Sequence, residues 1–154
     1  MSLAITACIQ HANSKKQKLL KTLKAKGVPL AIVSNKGIGA LEAVLKHLKM
    51  EGAVDLLLGD MPGVKKKPDP MSFHEIVAPK FSSVSGLENG AGKLNPQDVL
   101  VVGDTEADLQ YAKNIGAVAC WARFGYGEKE ECENLGPDLV VDSLEELALL
   151  IGVA

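Results

Sequence analysis

The sequence predicts an α/β protein in three layers, with helices on both faces of a mostly parallel sheet. Two observations lead to this fold class. Short, nearly continuous apolar runs such as Pro29–Ser34 and Val99–Val102 are typical of strands that are buried on both faces. These runs alternate with segments of helical spacing, as in a parallel sheet whose strands are joined by helices. With 154 residues, 47 % of them hydrophobic and 23 % charged, the chain can form one core of ordinary size.

Local sequence signals predict each helix and strand in the first half of the chain. Ser14 can cap a helix, and Gly27 is placed to end it. Apolar residues from Leu41 to Leu48 recur at helical spacing, and a polar loop precedes Pro70. In chain order, the pattern predicts helix Ser14–Lys26, strand Pro29–Ser34, helix Gly37–Met50, strand Val54–Leu58 and helix Met71–Phe81.

The second half continues the alternation after a break. Residues 82–96 are rich in Ser, Gly and Asn without periodicity, which predicts a loop insertion. Gly116 can close one helix, and Ser143 can cap the last. The remaining predictions are strand Val99–Val102, helix Thr105–Ile115, strand Ala117–Trp121, strand Leu139–Val141 and a final helix through Leu150. We therefore expect one core domain over residues 14–154, preceded by a segment, residues 1–13, for which strand, helix and tail all remain open.

Charge is unevenly distributed although the net charge is only −2. Residues 1–50 carry nine Lys and one acid, whereas the rest of the chain carries a net charge of −10. Six of the Lys lie between Lys15 and Lys26, around an apolar stripe. The stripe favours a solvated amphipathic helix over a polyphosphate or nucleic-acid patch. Its residues are Leu19, Leu20 and Leu23.

Composition excludes several classes of protein. No apolar run approaches the roughly 18–20 residues that a membrane span needs, and 4 % aromatic residues argue against stacking platforms for single-stranded nucleic acid. The three cysteines Cys8, Cys120 and Cys132 are widely spaced, which predicts reduced thiols in a cytoplasmic protein. Cys120 is expected in the core and Cys132 on the surface.

Three polar segments follow predicted strands, and the carboxyl ends of parallel strands share one rim of a sheet. In the last of them, Asp104 and Asp108 lie four positions apart at the start of a helix and face one direction. Two such carboxylates suit Mg²⁺. The alternative is a helix cap and a surface acid that compensates the helix dipole.

The other two segments supply a hydroxyl and a lysine. Ser34 ends a strand beside free N–H groups at a helix start, which can bind an anion, although an N-cap role is the alternative. Lys67 lies in a loop that Pro68 and Pro70 stiffen, so it can act as a point charge on phosphate. A solvated basic loop is the alternative, and for the neighbouring lysines it is the preferred one.

Together the motifs Ser34-Asn35-Lys36, Lys67-Pro68-Asp69-Pro70 and Gly103-Asp104-Thr105-Glu106-Ala107-Asp108, in this order, resemble the haloacid dehalogenase superfamily. The likeness is to its phosphoglycolate phosphatase-like branch and extends over most of the chain. Agreement continues in Gly125-Tyr126-Gly127 and around Pro137. The resemblance implies a Rossmann-like sheet and a Mg²⁺-dependent phosphatase-type hydrolase for a small phosphorylated metabolite.

The resemblance also implies roles for individual residues. Ser34 and Lys67 are the implied catalytic residues, and both bind phosphate together with Asn35. Asp104 is an implied Mg²⁺ ligand. Asp108 is either a second ligand or the support of the first.

One departure from the family is large. Its nucleophile belongs to an Asp-x-Asp-Gly-Thr motif after the first strand, but the residues before Ser34 contain no Asp or Glu. Without a carboxylate nucleophile the covalent route is unavailable. The core is therefore expected to be truncated and inactive or in need of complementation, or else to be a non-catalytic phosphate and Mg²⁺-binding or regulatory module. A flavodoxin-like domain with Asp104 as phosphoacceptor is a weaker reading.

The family's first strand is central in its sheet, so its loss would leave two edges unpaired, and such edges invite another chain. The strand is expected to be missing or replaced. Residues 3–9 are strand-compatible and can fill the gap; a complementing chain or a swapped homodimer is the alternative. Among other residues, Trp121 is expected in the core and Arg123 is a candidate contact for a substrate anion, whereas the three histidines show no metal-ligand spacing.

Overall fold

The computed structural model describes the backbone of residues 3–6 and the whole of residues 14–82 and 94–153. Within these residues six parallel strands form one sheet in the order β3-β2-β1-β4-β5-β6. The predicted α/β class is confirmed. The strands are β1 (Leu3–Thr6), β2 (Leu30–Gly37), β3 (Leu56–Asp60), β4 (Val99–Gly103), β5 (Val118–Ala122) and β6 (Leu139–Val141).

Helices cover both faces of the sheet. They are α1 (Ser14–Ala25), α2 (Ile38–His47), α3 (Ala78–Ser82), α4 (Glu106–Ile115), α5 (Lys129–Asn134) and α6 (Leu144–Leu150). A π-helical turn (Phe73–Val77) precedes α3, and a 3₁₀ turn (Pro96–Asp98) precedes β4. No helix in the described part of the chain is long and apolar enough to cross a membrane.

The core consists of two apolar layers, one on each face of the sheet. Alternate residues of β4 divide between them: Val99 and Val101 belong to one layer, and Leu100 and Val102 to the other. This alternation explains why the strand is apolar throughout, since successive side chains of a strand point to opposite faces. Helices α1, α2 and α6 contribute to the layer of Leu100, and α3, α4 and α5 to the layer of Val99.

Strand β1 fills the central position that the family's nucleophile strand would take. Thr6 is in register with Ile32 of β2 on one side and with Val102 of β4 on the other. The central strand is therefore replaced, by residues of the N-terminal segment itself. Of the alternatives for this position, the structure shows the one in which the N-terminal segment fills the gap, because both β2 and β4 are paired to β1.

Several elements differ from their predictions; strand β3, for example, is Leu56–Asp60 rather than Val54–Leu58. The helix predicted over 71–81 contains the π-helical turn, in which Ala78 donates its N–H to the carbonyl oxygen of Phe73. Pro79 follows directly and has no N–H to continue regular α-helical bonding. Helix α5 was not predicted at all. Of the loop predicted over 82–96, Ser82 belongs to α3, and residues 83–93 lie outside the described residues.

Helix α1 carries the lysine-rich segment as an amphipathic helix, as the leucine stripe predicts. Leu19, Leu20 and Leu23 are buried. Lys15 pairs with Glu145 of α6 at the surface. Lys16 is the exception to the solvated face, because only 6 % of it is exposed.

Candidate functional site

The carboxyl end of β2 is distorted at Ser34. The pairing of β2 with β3 shifts register between Val33 and Gly37, so Ser34 lies in an irregularity of the ladder. Such bulges redirect side chains and are frequent beside active sites. The N–H of Lys36 donates to Ser34 Oγ at 3.2 Å. The Ser34 hydroxyl accepts that bond, and no described residue accepts its proton.

The loop that carries Lys67 is fixed to the sheet by Asn35. The side-chain amide of Asn35 donates to the Lys67 carbonyl at 3.0 Å, and its Oδ1 accepts the Lys67 N–H at 2.8 Å. From the other side, Asn114 of α4 donates to the Pro68 carbonyl at 2.8 Å. The backbone at residues 67–68 is therefore held between β2 and α4.

Lys67 and Asp108 form a buried ion pair. Lys67 Nζ lies 2.5 Å from Asp108 Oδ1, and 5 % of each side chain is exposed. By contrast, Lys66 pairs with Asp60, and Lys65 with Asp69, on the surface. The preference for a solvated role of Lys65 and Lys66 agrees with these positions.

Both carboxylate oxygens of Asp108 are occupied by protein donors. Oδ1 receives Lys67, and Oδ2 receives the N–H groups of Asp104 and Thr105 at 3.1 Å and the Thr105 hydroxyl at 3.0 Å. Gly103 allows this approach, because a Cβ there would lie 2.1 Å from Asp108 Cβ. Of the two roles expected for Asp108, this geometry favours support over direct ligation.

Asp104 differs from Asp108 in having an oxygen without a donor. Its Oδ2 accepts the N–H of Tyr126 at 3.0 Å, whereas no described residue donates to Oδ1. Only 5 % of Asp104 is exposed, and a buried carboxylate oxygen without a donor is costly. The donor set therefore fits a cation at Oδ1. Among residues 14–82 and 94–153, no group of three or more His, Cys, Asp or Glu side chains is placed to hold a metal. Of Asp104 and Asp108, only Asp104 keeps a carboxylate oxygen to which no described residue donates.

Cys132, expected on the surface, is fully buried, which corrects the prediction. It packs in the layer of Val99, and its Sγ lies 3.8 Å from the Asp104 carbonyl oxygen. Burial raises the pKa of the Cys132 thiol to about 11, and the nearby carboxylates of Glu106, Asp104, Asp108 and Glu131 contribute smaller parts of this rise. Cys120 is buried as predicted, and burial raises its pKa to about 12.

The candidate anion contact Arg123 is engaged elsewhere. Its guanidinium makes two bonds of 2.7 Å to the carboxylate of Asp142, and these bonds hold the pKa of Asp142 below its usual range. The guanidinium also lies 5.9 Å from the ring of Trp121, which is buried as expected.

Comparison with known proteins decides the family. The model of the haloacid dehalogenase-like hydrolases matches residues 10–122, which include Ser34, Lys67, Asp104 and Asp108. The chain belongs to the haloacid dehalogenase-like hydrolase family. The predicted resemblance is thereby confirmed, and the flavodoxin-like reading is set aside.

Relatives within the haloacid dehalogenase-like family include phosphoglycolate phosphatases. That of Escherichia coli K12 is 29 % identical over 136 residues, which are 87 % of this chain and 48 % of the relative. That of Aquifex aeolicus is 35 % identical over 107 residues, or 70 % of this chain and 45 % of the relative. A crystal structure of a predicted phosphoglycolate phosphatase from Haemophilus somnus superimposes with a TM-score of 0.75 at 24 % identity, over 90 % of this chain and 56 % of the other. The chain spans about half the length of the curated relatives.

Several residues of the site have contacts that the sequence does not predict. Asn114 has no apparent task in the sequence, because the loop that it holds is 46 residues away. Asn35 was assigned to phosphate, whereas both ends of its amide contact the Lys67 backbone. The Gly-Tyr-Gly segment around Tyr126 was noted only as a family feature. That resemblance is the one signal in the sequence for a role of this segment, which the structure places beside Asp104.

Proposed function

We propose that this chain is a phosphatase-type core that binds a small phosphorylated metabolite together with Mg²⁺ at the rim formed by β2, β4 and the Lys67 loop. One observation carries the proposal. Lys67, Asp108 and Asp104 are connected by hydrogen bonds at the carboxyl ends of the strands, and they combine a buried cation with a carboxylate oxygen to which no described residue donates. The Lys67 ammonium can bind a phosphate oxygen, and Asp104 Oδ1 can bind Mg²⁺. A cytoplasmic location is part of this proposal and rests on the reduced thiols.

Each residue has its own part in binding. Lys67 brings positive charge to the phosphoryl group, and the Ser34 hydroxyl donates a hydrogen bond to one of its oxygens. Asn35 positions Lys67 through the backbone rather than contacting phosphate, because both ends of its amide are in use. Electrostatic contacts of this kind stabilise charge that develops on a transferring phosphoryl group.

Asp104 Oδ1 is the atom that would hold Mg²⁺, with water and phosphate oxygens completing the shell. Bound Mg²⁺ neutralises phosphate charge and orients the group. Asp108 supports Asp104 by accepting its backbone N–H, and it balances the charge of Lys67. Sequence spacing alone would have given both carboxylates the same part.

The described rim offers no carboxylate nucleophile, so we propose that the chain does not hydrolyse the bound compound unaided. Strand β1 ends at Thr6, and the sequence continues Ala7-Cys8-Ile9 where the family has its Asp-x-Asp motif. A covalent aspartyl intermediate needs that carboxylate.

A second candidate function is a non-catalytic phosphate and Mg²⁺-binding or regulatory module. The occupied central position of the sheet favours it, since β1 leaves no central edge for a complementing strand. Addition of a polypeptide that carries the family's Asp-x-Asp segment distinguishes the candidates. Restored hydrolysis supports a core that needs complementation, and binding without restored hydrolysis supports the module.

Binding is tested by thermal unfolding of the purified chain with Mg²⁺ and with inorganic phosphate. Each ligand is expected to raise Tm, because a ligand that binds only the folded state stabilises it by mass action. Asp104→Asn should abolish the Mg²⁺ response. Asp98→Asn, which changes an exposed carboxylate in the 3₁₀ turn, is the matched control and should respond like the parent. An equal Mg²⁺ response in Asp104→Asn and the parent would refute the metal assignment.

A further inference from the structure

The segment that follows β5 lies directly against Asp104. The Tyr126 N–H donates to Asp104 Oδ2 at 3.0 Å, and the Gly127 N–H donates to the Asp104 carbonyl oxygen at 3.1 Å. The segment Phe124–Gly127 therefore bonds to both the side chain and the backbone of Asp104. From the opposite side, Asp108 accepts the Asp104 N–H.

The two glycines of this segment provide the space for that approach. A Cβ on Gly125 would lie 2.1 Å from Asp104 Cβ and 2.5 Å from Oδ2, and a Cβ on Gly127 would lie 2.1 Å from the Asp104 carbonyl oxygen. Neither glycine has the positive φ that favours glycine for conformational reasons. Both positions need glycine because only a residue without a side chain allows such close backbone contact.

This contact determines which oxygen of Asp104 is available. Asp104 Oδ2 accepts the Tyr126 N–H, and Asp104 Cβ packs on Gly125. The carboxylate is therefore held with Oδ1 as the oxygen to which no described residue donates. We propose that Gly125 and Gly127 are positioning residues, which hold Asp104 in the orientation that presents Oδ1 to the cation. The inference rests on the proposed Mg²⁺ site and names the chain's own device for orienting its ligand.

The test compares Gly125→Ala with Gly39→Ala by calorimetric titration of Mg²⁺. Gly39, in α2, has negative φ and no atom within 4 Å of an added Cβ, so the control adds the same methyl group in open space. Gly125→Ala is expected to weaken Mg²⁺ binding by about 10–100-fold, as the loss of groups that orient a metal ligand does. Gly39→Ala should bind like the parent. Phosphate binding without Mg²⁺ should be unchanged in both, because it depends on Lys67.

One further variant separates positioning from general damage. Replacement of the Tyr126 amide by an ester removes the donor to Oδ2 without adding bulk, and it should also weaken Mg²⁺ binding. This variant carries the test if Gly125→Ala does not fold.

Equal Mg²⁺ affinity in the parent and in either the folded Gly125→Ala chain or the ester variant would overturn the inference. So would an equal loss of Mg²⁺ and phosphate binding in Gly125→Ala, since a merely structural role would affect both. A parent chain that binds no Mg²⁺ would instead contradict the proposed function.

Discussion

Lys67 and Asp108 show how a single buried charge pair can serve both stability and binding. The two side chains are almost completely removed from solvent, and each is the charge partner of the other. A buried pair of this kind contributes little against an apolar pair, but the loss of one partner leaves an uncompensated charge in the interior. The positive charge of Lys67 at the rim therefore depends on Asp108.

Asp108→Asn is expected to lower the free energy of unfolding by about 3–5 kcal/mol, because it leaves the Lys67 ammonium buried without a counter-charge. Urea unfolding measures this loss. Asp60→Asn is the control, since Asp60 pairs with Lys66 on the surface and its loss should cost at most about 1 kcal/mol. In the double variant Asp108→Asn with Lys67→Met, part of the loss should be recovered. A loss no larger than that of the control would contradict the buried pair.

The sequence predicts a set of candidate site residues but not the different hydrogen bonds that each of them makes. Asp104 and Asp108 look equivalent in the sequence, since both follow β4 on one side of a helix start. Part of their difference arises from donors 22 and 41 residues away along the chain, Tyr126 and Lys67. Local spacing contains no information about such donors.

Helices and strands that depend on their own local sequence were predicted well. The bounds of β6 agree with the prediction, and Ser143 caps α6 by accepting the Glu146 N–H at 3.1 Å. Helix α5 was missed because its sequence, Lys-Glu-Glu-Cys-Glu-Asn, has one apolar residue and no helical periodicity. That residue, Cys132, is the buried anchor of the helix, and a lone cysteine among acids gives no sign of burial.

Burial of Cys132 in α5 predicts that the free energy of unfolding falls at alkaline pH. Burial holds the Cys132 thiol protonated in the folded chain up to a pKa of about 11, whereas in the unfolded chain it ionises near its ordinary value of 9.0. The contribution of the Cys132 thiol to the free energy of unfolding is therefore fully present below about pH 9. It is lost as pH rises towards 11, by about 1.4 kcal/mol per pH unit.

Urea unfolding at pH 8, 9 and 10 measures this loss in the parent and in Cys132→Ala. The free energy of unfolding should fall less steeply above pH 9 in the variant. Cys120 and Tyr111, whose pKa values burial raises to about 12, titrate in both proteins and cancel in the comparison. Identical slopes would show that Cys132 is accessible to solvent.

At the scale of the whole molecule, strand–helix alternation was sufficient to predict the fold, but it could not settle the central strand. Leu3–Thr6 contains no residue that marks it as central, and it pairs with strands that begin at Leu30 and Val99. Only its two long-range ladders assign it there. With β1 in place, the sheet edges in the described chain are β3 and β6.

The proposed phosphate and Mg²⁺ rim lies on a sheet whose central position is filled by β1, and the sequence that follows β1 lacks the family's Asp-x-Asp motif. Half the length of the curated relatives is sufficient for that rim, because β2, the Lys67 loop and β4 all lie within it. The proposed lack of hydrolysis therefore rests on the sequence after β1, which has no Asp or Glu before Ser34.

The most direct test is Mg²⁺-dependent hydrolysis of a generic aryl phosphate by the purified chain, with Asp104→Asn as control. We expect no turnover by the parent above that of the variant, although Mg²⁺ and phosphate raise the parent's Tm. Turnover by the parent that Asp104→Asn abolishes would mean that the chain has a nucleophile of its own, and would contradict the account.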